Sequence, residues 1–176
     1  MKHLSFFLFF LNTEYWILNT EYWTFVLSLG VLLSALLTQT EIKINQTPSL
    51  GYRVFFCLKG LEVTRGDFVS FTDHGTAYFG NLSYTKRLSG LPGDQIRRTR
   101  HQLFINDKPV GTLRSATRDG KPLSPLKAKR IPEGYVFVSA DHPRSFDSRY
   151  EEFGLVKQSC LICKCFGFFK LNEADS

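Results

Sequence analysis

Leu82-Ser83-Tyr84-Thr85-Lys86-Arg87-Leu88, running on into Ser89-Gly90-Leu91-Pro92-Gly93-Asp94, is a short alternating stretch that stops at glycine and proline. Its two-residue period predicts a strand with Leu82, Tyr84, Lys86 and Leu88 on one face. Lys86 is the anomaly on that face. An ammonium among apolar side chains loses hydration, so its pKa falls and a neutral amine becomes accessible near neutral pH. Such an amine can serve as a general base, given a group to deprotonate. The bland alternative is a satisfied structural lysine.

Similar runs lie on both sides. Tyr52–Leu58 and Phe68–Phe71 read as strands, punctuated by Lys59-Gly60 and Arg65-Gly66-Asp67. Gln102–Ile105 meets a turn signal at Asn106-Asp107-Lys108 that leads into Pro109-Val110. Tyr135–Ala140 follows Pro132-Glu133-Gly134, and a last apolar run covers Ser159–Phe169. Glu41–Gln46 reads as a polar, extended stalk, and Thr112–Lys129 as a loop or small flap. Many short strands with frequent turns predict a mostly β, antiparallel domain.

The 176 residues allow one domain of ordinary size plus a tether, and 43% hydrophobic content supplies a core. From Tyr22 to Leu37 the chain carries no charge, and extension to Thr38 gives a transmembrane length. Tyr15, Trp16, Tyr22 and Trp23 suit the headgroup interface. Ser34-Ala35 would fit a cleaved secretory signal. An uncleaved anchor is preferred because the apolar run is long and its basic lead is only Lys2. The expected organisation is a lead at 1–21, an anchor at 22–38 and a domain at 39–176. Residues 11–17 and 18–24 are a tandem seven-residue duplication, too short for a coiled coil and read as a neutral extension of the lead. The net charge of +6 is concentrated between Arg97 and Arg130. It reads as a solvated basic loop near anionic lipid headgroups, since no nucleic-acid module accompanies it.

A base needs a nucleophile, and Ser49 in Asn45-Gln46-Thr47-Pro48-Ser49-Leu50-Gly51-Tyr52 is the best candidate. Pro48 restricts the backbone entering Ser49, and Gly51 permits close approach after it. Such a turn exposes an Oγ and aims N–H groups at a carbonyl, with the Thr47 hydroxyl as a second oxyanion donor.

Lys86-Arg87 followed by Gly90-Leu91-Pro92-Gly93-Asp94 resembles the lysine box of type I signal peptidases, the S26 family. Ser145-Phe146-Asp147-Ser148-Arg149-Tyr150, followed by Phe153-Gly154, resembles their C-terminal box, in a form closer to the TraF-type peptidases of conjugative transfer systems. The resemblance spans about residues 22–165. It implies a signal-peptidase-like β domain, Ser49 as nucleophile and Lys86 as general base. It also implies Thr47 and the Ser49 N–H at the oxyanion hole, and Ser145 orienting the amine. Asp147 would pair with Arg149, and with Arg87, to brace the site; an ordinary loop-holding ion pair is the alternative. Extended geometry would place Ser145, Asp147 and Arg149 on one side. The chain departs from the family in running directly from Ser49-Leu50 to Gly51-Tyr52. The short interval from Lys86 to Asp147 implies a reduced cap.

Cys160, Cys163 and Cys165, with Cys57 far away, read as buried thiols or one periplasmic disulfide. Zinc with His142 is the weaker alternative, so neither metal nor cofactor is expected. His74, His101 and His142 read as surface or turn residues. The leading expectation is a single-pass inner-membrane serine peptidase facing the periplasm and maturing a conjugative pilin, by hydrolysis or by cyclisation through the acyl-enzyme. Its partners would be the pilin or another preprotein, inner-membrane lipid and other conjugative transfer proteins, with no nucleic acid. The alternatives are a general signal peptidase, a non-catalytic tethered assembly factor, and a thiol or metal protein.

Overall fold

Lys86, Leu88 and Gly90 are buried along strand β4 (Tyr84–Gly90), alternating with half-buried residues, in a computed structural model of the chain. The structure describes residues 2–45, 47, 49–72 and 83–170, and only the backbone of 2–19. Leu82, His74 and Pro48, named above, lie outside the described residues.

The chain divides into two compact units, Met1–Gln39 and Thr40–Ser176. The first is helix α1 (Lys2–Thr38). Its segment Thr20–Thr38, with mean hydropathy 1.5, is long and apolar enough to cross a membrane.

The second unit is mostly antiparallel β, as expected. Strands β1 (Thr40–Ile44), β2 (Tyr52–Leu58) and β3 (Phe68–Phe71) precede β4. Strands β5 (Ile96–Arg98), β6 (Gln102–Ile105) and β7 (Lys108–Thr112) follow it, then β8 (Tyr135–Ser139), β9 (Val156–Lys157) and β10 (Leu161–Lys170). The main sheet has the order β1-β2-β10-β3-β4-β8-β9, which puts β4 inside the sheet between β3 and β8. A smaller sheet has the order β5-β6-β7. Asn106 and Asp107 turn its β6–β7 hairpin with φ of 46° and 63°. Positive φ at both central residues is the twist-matched geometry that Asn and Asp tolerate best after glycine.

Three apolar clusters fill the domain. Val69, Phe71, Leu88, Val136, Val138, Phe153 and Val156 form one around β3, β4 and β8. A second joins Leu50 to Phe55, Cys57, Ala140, Cys163 and Cys165. The third lies on the small sheet, around Leu103, Ile105, Ile131 and Phe137.

Three local expectations need correction. The supposed stalk is β1, paired with β2 from Thr40↔Leu58 to Ile44↔Val54. Its Glu41, Lys43 and Lys59 form an ion-paired group, so polarity here marks an edge strand. β5 and β9 were not anticipated, being only three and two residues long. Residues 145–149 form no strand; turns and side-chain hydrogen bonds bring their polar groups together.

Cys57 and Cys165, directly opposite on β2 and β10, form a disulfide across 108 residues of sequence. Cys163 is a buried thiol and Cys160 a half-buried one. The sulfurs that cluster are Cys57, Cys163 and Cys165, so of the thiol or metal alternative centred on Cys160, Cys163 and Cys165 only the last two come together, and Cys165 is in the disulfide. Closing so long a loop restricts the unfolded chain. Replacing Cys57 and Cys165 by alanine is expected to lower stability by about 2–4 kcal/mol in urea titrations, and an unchanged midpoint would contradict this.

Candidate active site

Lys86 is fixed by its strand. Its cross-strand neighbour is Val69, Leu88 two residues on is fully buried, and only 7% of Lys86 remains exposed. Desolvation pushes its ammonium down to about 8, the Arg149 charge adds to that, and the Asp147 charge partly opposes both. Its Nζ donates to Ser145 Oγ at 2.8 Å. One N–H of the amine is thereby spent, which orients the remaining valences.

Ser145 is held in turn by its own loop. Ser145 N donates to His142 O at 3.0 Å, and Arg149 Nη2 donates to Ser145 O at 3.0 Å. Arg149 and Asp147 have no exposure at all. Arg149 Nε meets Asp147 Oδ1 at 2.7 Å and Nη2 meets Oδ2 at 2.8 Å, the two-pronged pairing that suits guanidinium and carboxylate. Asp147 Oδ2 also accepts from Ala140 N, while Val138 N donates to Ser148 Oγ and Ser148 N to Val138 O. These bonds stitch residues 145–149 to the end of β8. Arg149 Nη1 reaches Thr112 O at 2.9 Å, tying in the small sheet.

Gly111 shows how close that approach is. Its φ is +148°, and a Cβ there would lie 2.5 Å from Arg149 Nη1 and 3.1 Å from its Cδ. Glycine at this position lets the β7 backbone pass over the guanidinium.

Ser49 sits in the turn before β2 and is 7% exposed. The next residue, Leu50, is fully buried in the cysteine-containing cluster and pins the turn. Ser49 O accepts from His142 N at 3.2 Å, so the Ser49 turn and the loop carrying Ser145 are joined by backbone three residues from Ser145. Thr47, exposed, places its Oγ1 3.2 Å from Ser49 Oγ and 3.4 Å from Asn45 Oδ1, so its single hydroxyl hydrogen is shared between these two acceptors. Among the described residues no hydrogen bond links Ser49 Oγ directly to Lys86 Nζ.

Sequence reasoning placed Arg87 with Asp147. Instead Arg87 pairs with Asp141, at 3.1 Å from Nε and 3.0 Å from Nη2, and lies over the Phe68 ring at 4.4 Å. Alternation explains this: Arg87 neighbours Lys86 on the strand and points to the other face. Two residues quoted above only as parts of longer stretches also contribute. Asn45 holds the Thr47 backbone and hydroxyl, and Asp94 anchors the turn after β4. Asp94 accepts from Leu91 N at 2.7 Å, Arg65 Nη2 at 2.9 Å and Asn106 Nδ2 at 2.6 Å. Burial opposes its charge, but Arg65 and these donors outweigh it and hold the carboxyl below the ordinary range. Of the histidines, His101 is exposed, and His142 serves Ser49 through its backbone N–H.

A family model described as "Signal peptidase, peptidase S26" matches residues 16–169, and the chain belongs to this family. Signal peptidase I of Bacillus amyloliquefaciens is 35% identical over 104 residues, 53% of this chain and 55% of that protein. Signal peptidase I of Bacillus licheniformis is 37% identical over 105 residues, covering 53% and 54%. Signal peptidase I S of Bacillus subtilis (strain 168) is 31% identical over 124 residues, covering 64% and 62%. The chain thus spans little more than half the length of the relatives it matches. A crystal structure of a signal peptidase I from Enterococcus faecalis V583 aligns with a TM-score of 0.39 at 25% identity, covering 64% of this chain and 98% of that one.

A lysine whose folded-state pKa is depressed destabilises the fold below that pKa, because the unfolded chain binds the proton better. The cost fades as pH rises from about 8 towards the ordinary 10.5. Lys86→Met, similar in length and uncharged, is therefore expected to raise stability at pH 7 by about 1–3 kcal/mol. The gain should shrink above pH 9. Equal or lower stability in denaturant titrations at pH 7 would show that Lys86 carries no such cost.

Proposed function

We propose that this chain is a membrane-anchored serine peptidase that removes leader peptides from exported precursors, with Ser49 as nucleophile and Lys86 as general base. The observation that carries the proposal is the Lys86 amine, buried on an inside strand and held by Ser145 Oγ at 2.8 Å. Family membership and the similarity to several signal peptidases support the same reading.

In this reading the apolar segment Thr20–Thr38 spans the bilayer. The domain stands on the side where exported chains emerge, the periplasm in a two-membrane cell. Substrate entry brings Ser49 Oγ within reach of Lys86 Nζ, since hydrogen bonds of this kind often tighten only in the substrate complex. The neutral amine takes the Ser49 proton as Oγ attacks the scissile carbonyl. The Ser49 N–H and the Thr47 hydroxyl face the oxygen on which negative charge develops. The ammonium then gives its proton to the leaving amine, and an ester to Ser49 remains. Lys86, neutral again, activates a water that hydrolyses the ester. Ser145 orients the amine throughout, and the Asp147–Arg149 pair positions Ser145.

The narrower reading, maturation of a conjugative pilin, rests on the form of Ser145–Tyr150. An acyl-enzyme at Ser49 would there be captured by the amino terminus of the pilin instead of water, releasing a product lighter by one water than the linear chain. The matched relatives are signal peptidases, so leader removal is the better supported function.

Incubation of the full chain in detergent with a precursor bearing small residues before the cleavage point tests the proposal. Ser49→Ala and Lys86→Ala should each lower kcat/KM by at least about 10³-fold. The neutral amine is the working form, so kcat/KM should rise with pH to a half-maximum near 8. About a tenth of the enzyme would be competent at pH 7 and about nine-tenths at pH 9. Cleavage that survives both substitutions, or a profile flat from pH 6 to 9, would contradict the assignment.

A further inference from the structure

Between β5 and the segment 126–130 lies a cleft of about 550 Å³. Gln95–Arg98 form one wall and Leu126–Arg130 the other. It opens where a short backbone pairing ends: Ile96 N donates to Lys129 O, whereas Lys127 N turns away to the Glu151 carboxylate. The lining holds Arg97, Arg98, Lys127, Lys129 and Arg130 against one acid, Asp107. Asp107 is already paired with Arg97 at 3.1 Å. Arg98 reaches the carbonyls of Pro125 and Leu126, and Arg130 that of Gly93. Among the described residues the side chains of Arg98, Lys127, Lys129 and Arg130 form no ion pair with a carboxylate, although the Lys127 backbone meets Glu151. From Arg97 to Arg130 there are ten Lys or Arg and two Asp, a net +8 in a chain whose total is +6.

The register connects this cleft to the active site. Arg98 stands opposite Leu103, and Leu103 opposite Gly111, over which Arg149 packs. On the other wall Leu126 N donates to Arg149 O at 2.9 Å, so the cleft adjoins Arg149 directly. Arg149 is one hydrogen bond from Ser145, which holds Lys86, so the cleft begins within roughly 15 Å of Lys86, a reach of about five extended residues.

We propose that this cleft binds an acidic stretch of the substrate downstream of the scissile bond. The inference rests on the peptidase reading. A leader brings its positive charge at its own amino end and an apolar core behind it, neither of which suits five cations. The flank that has crossed the membrane is the part depleted in Lys and Arg, so acidic residues are free to occur there. The cleft would then select among precursors by the charge of the residues after the cut, chiefly through encounter and binding.

The test uses the full chain in nanodiscs of neutral lipid. With the Ser49→Ala chain, a labelled decapeptide rich in Asp and Glu should bind about tenfold more tightly than its Asn/Gln counterpart at low salt. At 0.5 M salt the difference should fall below about twofold. Lys127→Glu with Lys129→Glu should abolish the preference, and Lys127→Gln with Lys129→Gln should reduce it. With Ser49 intact, two precursors differing only at residues 5–10 after the cut should show the same ratio in kcat/KM, lost in the same variants. Equal binding of both peptides, or a preference unmoved by charge reversal, would overturn the proposal. So would variants that keep the peptide preference but lose binding to anionic vesicles, which would make the cleft a lipid site. A peptide preference without cleavage of either precursor would overturn the peptidase reading, and the substrate assignment with it.

Discussion

The Arg149 guanidinium, wholly buried, spends its donors on Asp147, on the Ser145 carbonyl and on the Thr112 carbonyl. Through those bonds it joins the loop that orients the amine, the end of β8 and the small sheet. Two opposite charges out of water are stable only when their hydrogen bonds are complete, and removing one partner of such a pair costs about 3–5 kcal/mol. Asp147 is completed by the backbone N–H groups of Ala140 and Arg149, so its remaining acceptor capacity is used locally. Gly111 is the sequence-level requirement for this arrangement, because any side chain there would occupy the space of the guanidinium.

Lys86 depends on that scaffold in two opposed ways. Desolvation lowers its pKa, and the Arg149 charge works in the same direction; the Asp147 charge works against both. The two charges act in opposite directions at the lysine, and burial, the largest influence, sets the direction of the shift. The pair thus supplies rigid positioning through its hydrogen bonds. The fold bears the burial of an amine that an apolar side chain would fill at lower cost, the usual sign of a site kept for function.

Much of this was legible in the chain. Runs bounded by turn signals marked β2, β3, β4, β6, β8 and β10 within a residue or two, and two-residue alternation set the faces of β4. It also marked Lys86 as the exception on an inside strand. The polar strand β1 was missed because an edge strand needs no apolar alternation, and β5 and β9 because two or three residues carry no period. Convergence of Ser145, Asp147 and Arg149 was anticipated but for the wrong local reason: turns, not a strand, bring them together. The pairing of Arg87 with Asp147, implied by the resemblance, is not formed because strand alternation turns Arg87 away from Lys86 and towards Asp141. The backbone bond from His142 to Ser49 had no side-chain signature to read.

The central claim is that Lys86 is a buried amine whose pKa is lowered to about 8, so that about a tenth of it is neutral at pH 7. The most direct measurement is the titration of its Nζ by NMR in the full chain, with Lys86 assigned by the loss of its signal in Lys86→Met. The account predicts a midpoint near 8, well separated from the surface lysines. A midpoint at the ordinary lysine value near 10.5 would contradict it, and would leave Ser49 without the base assigned to it here.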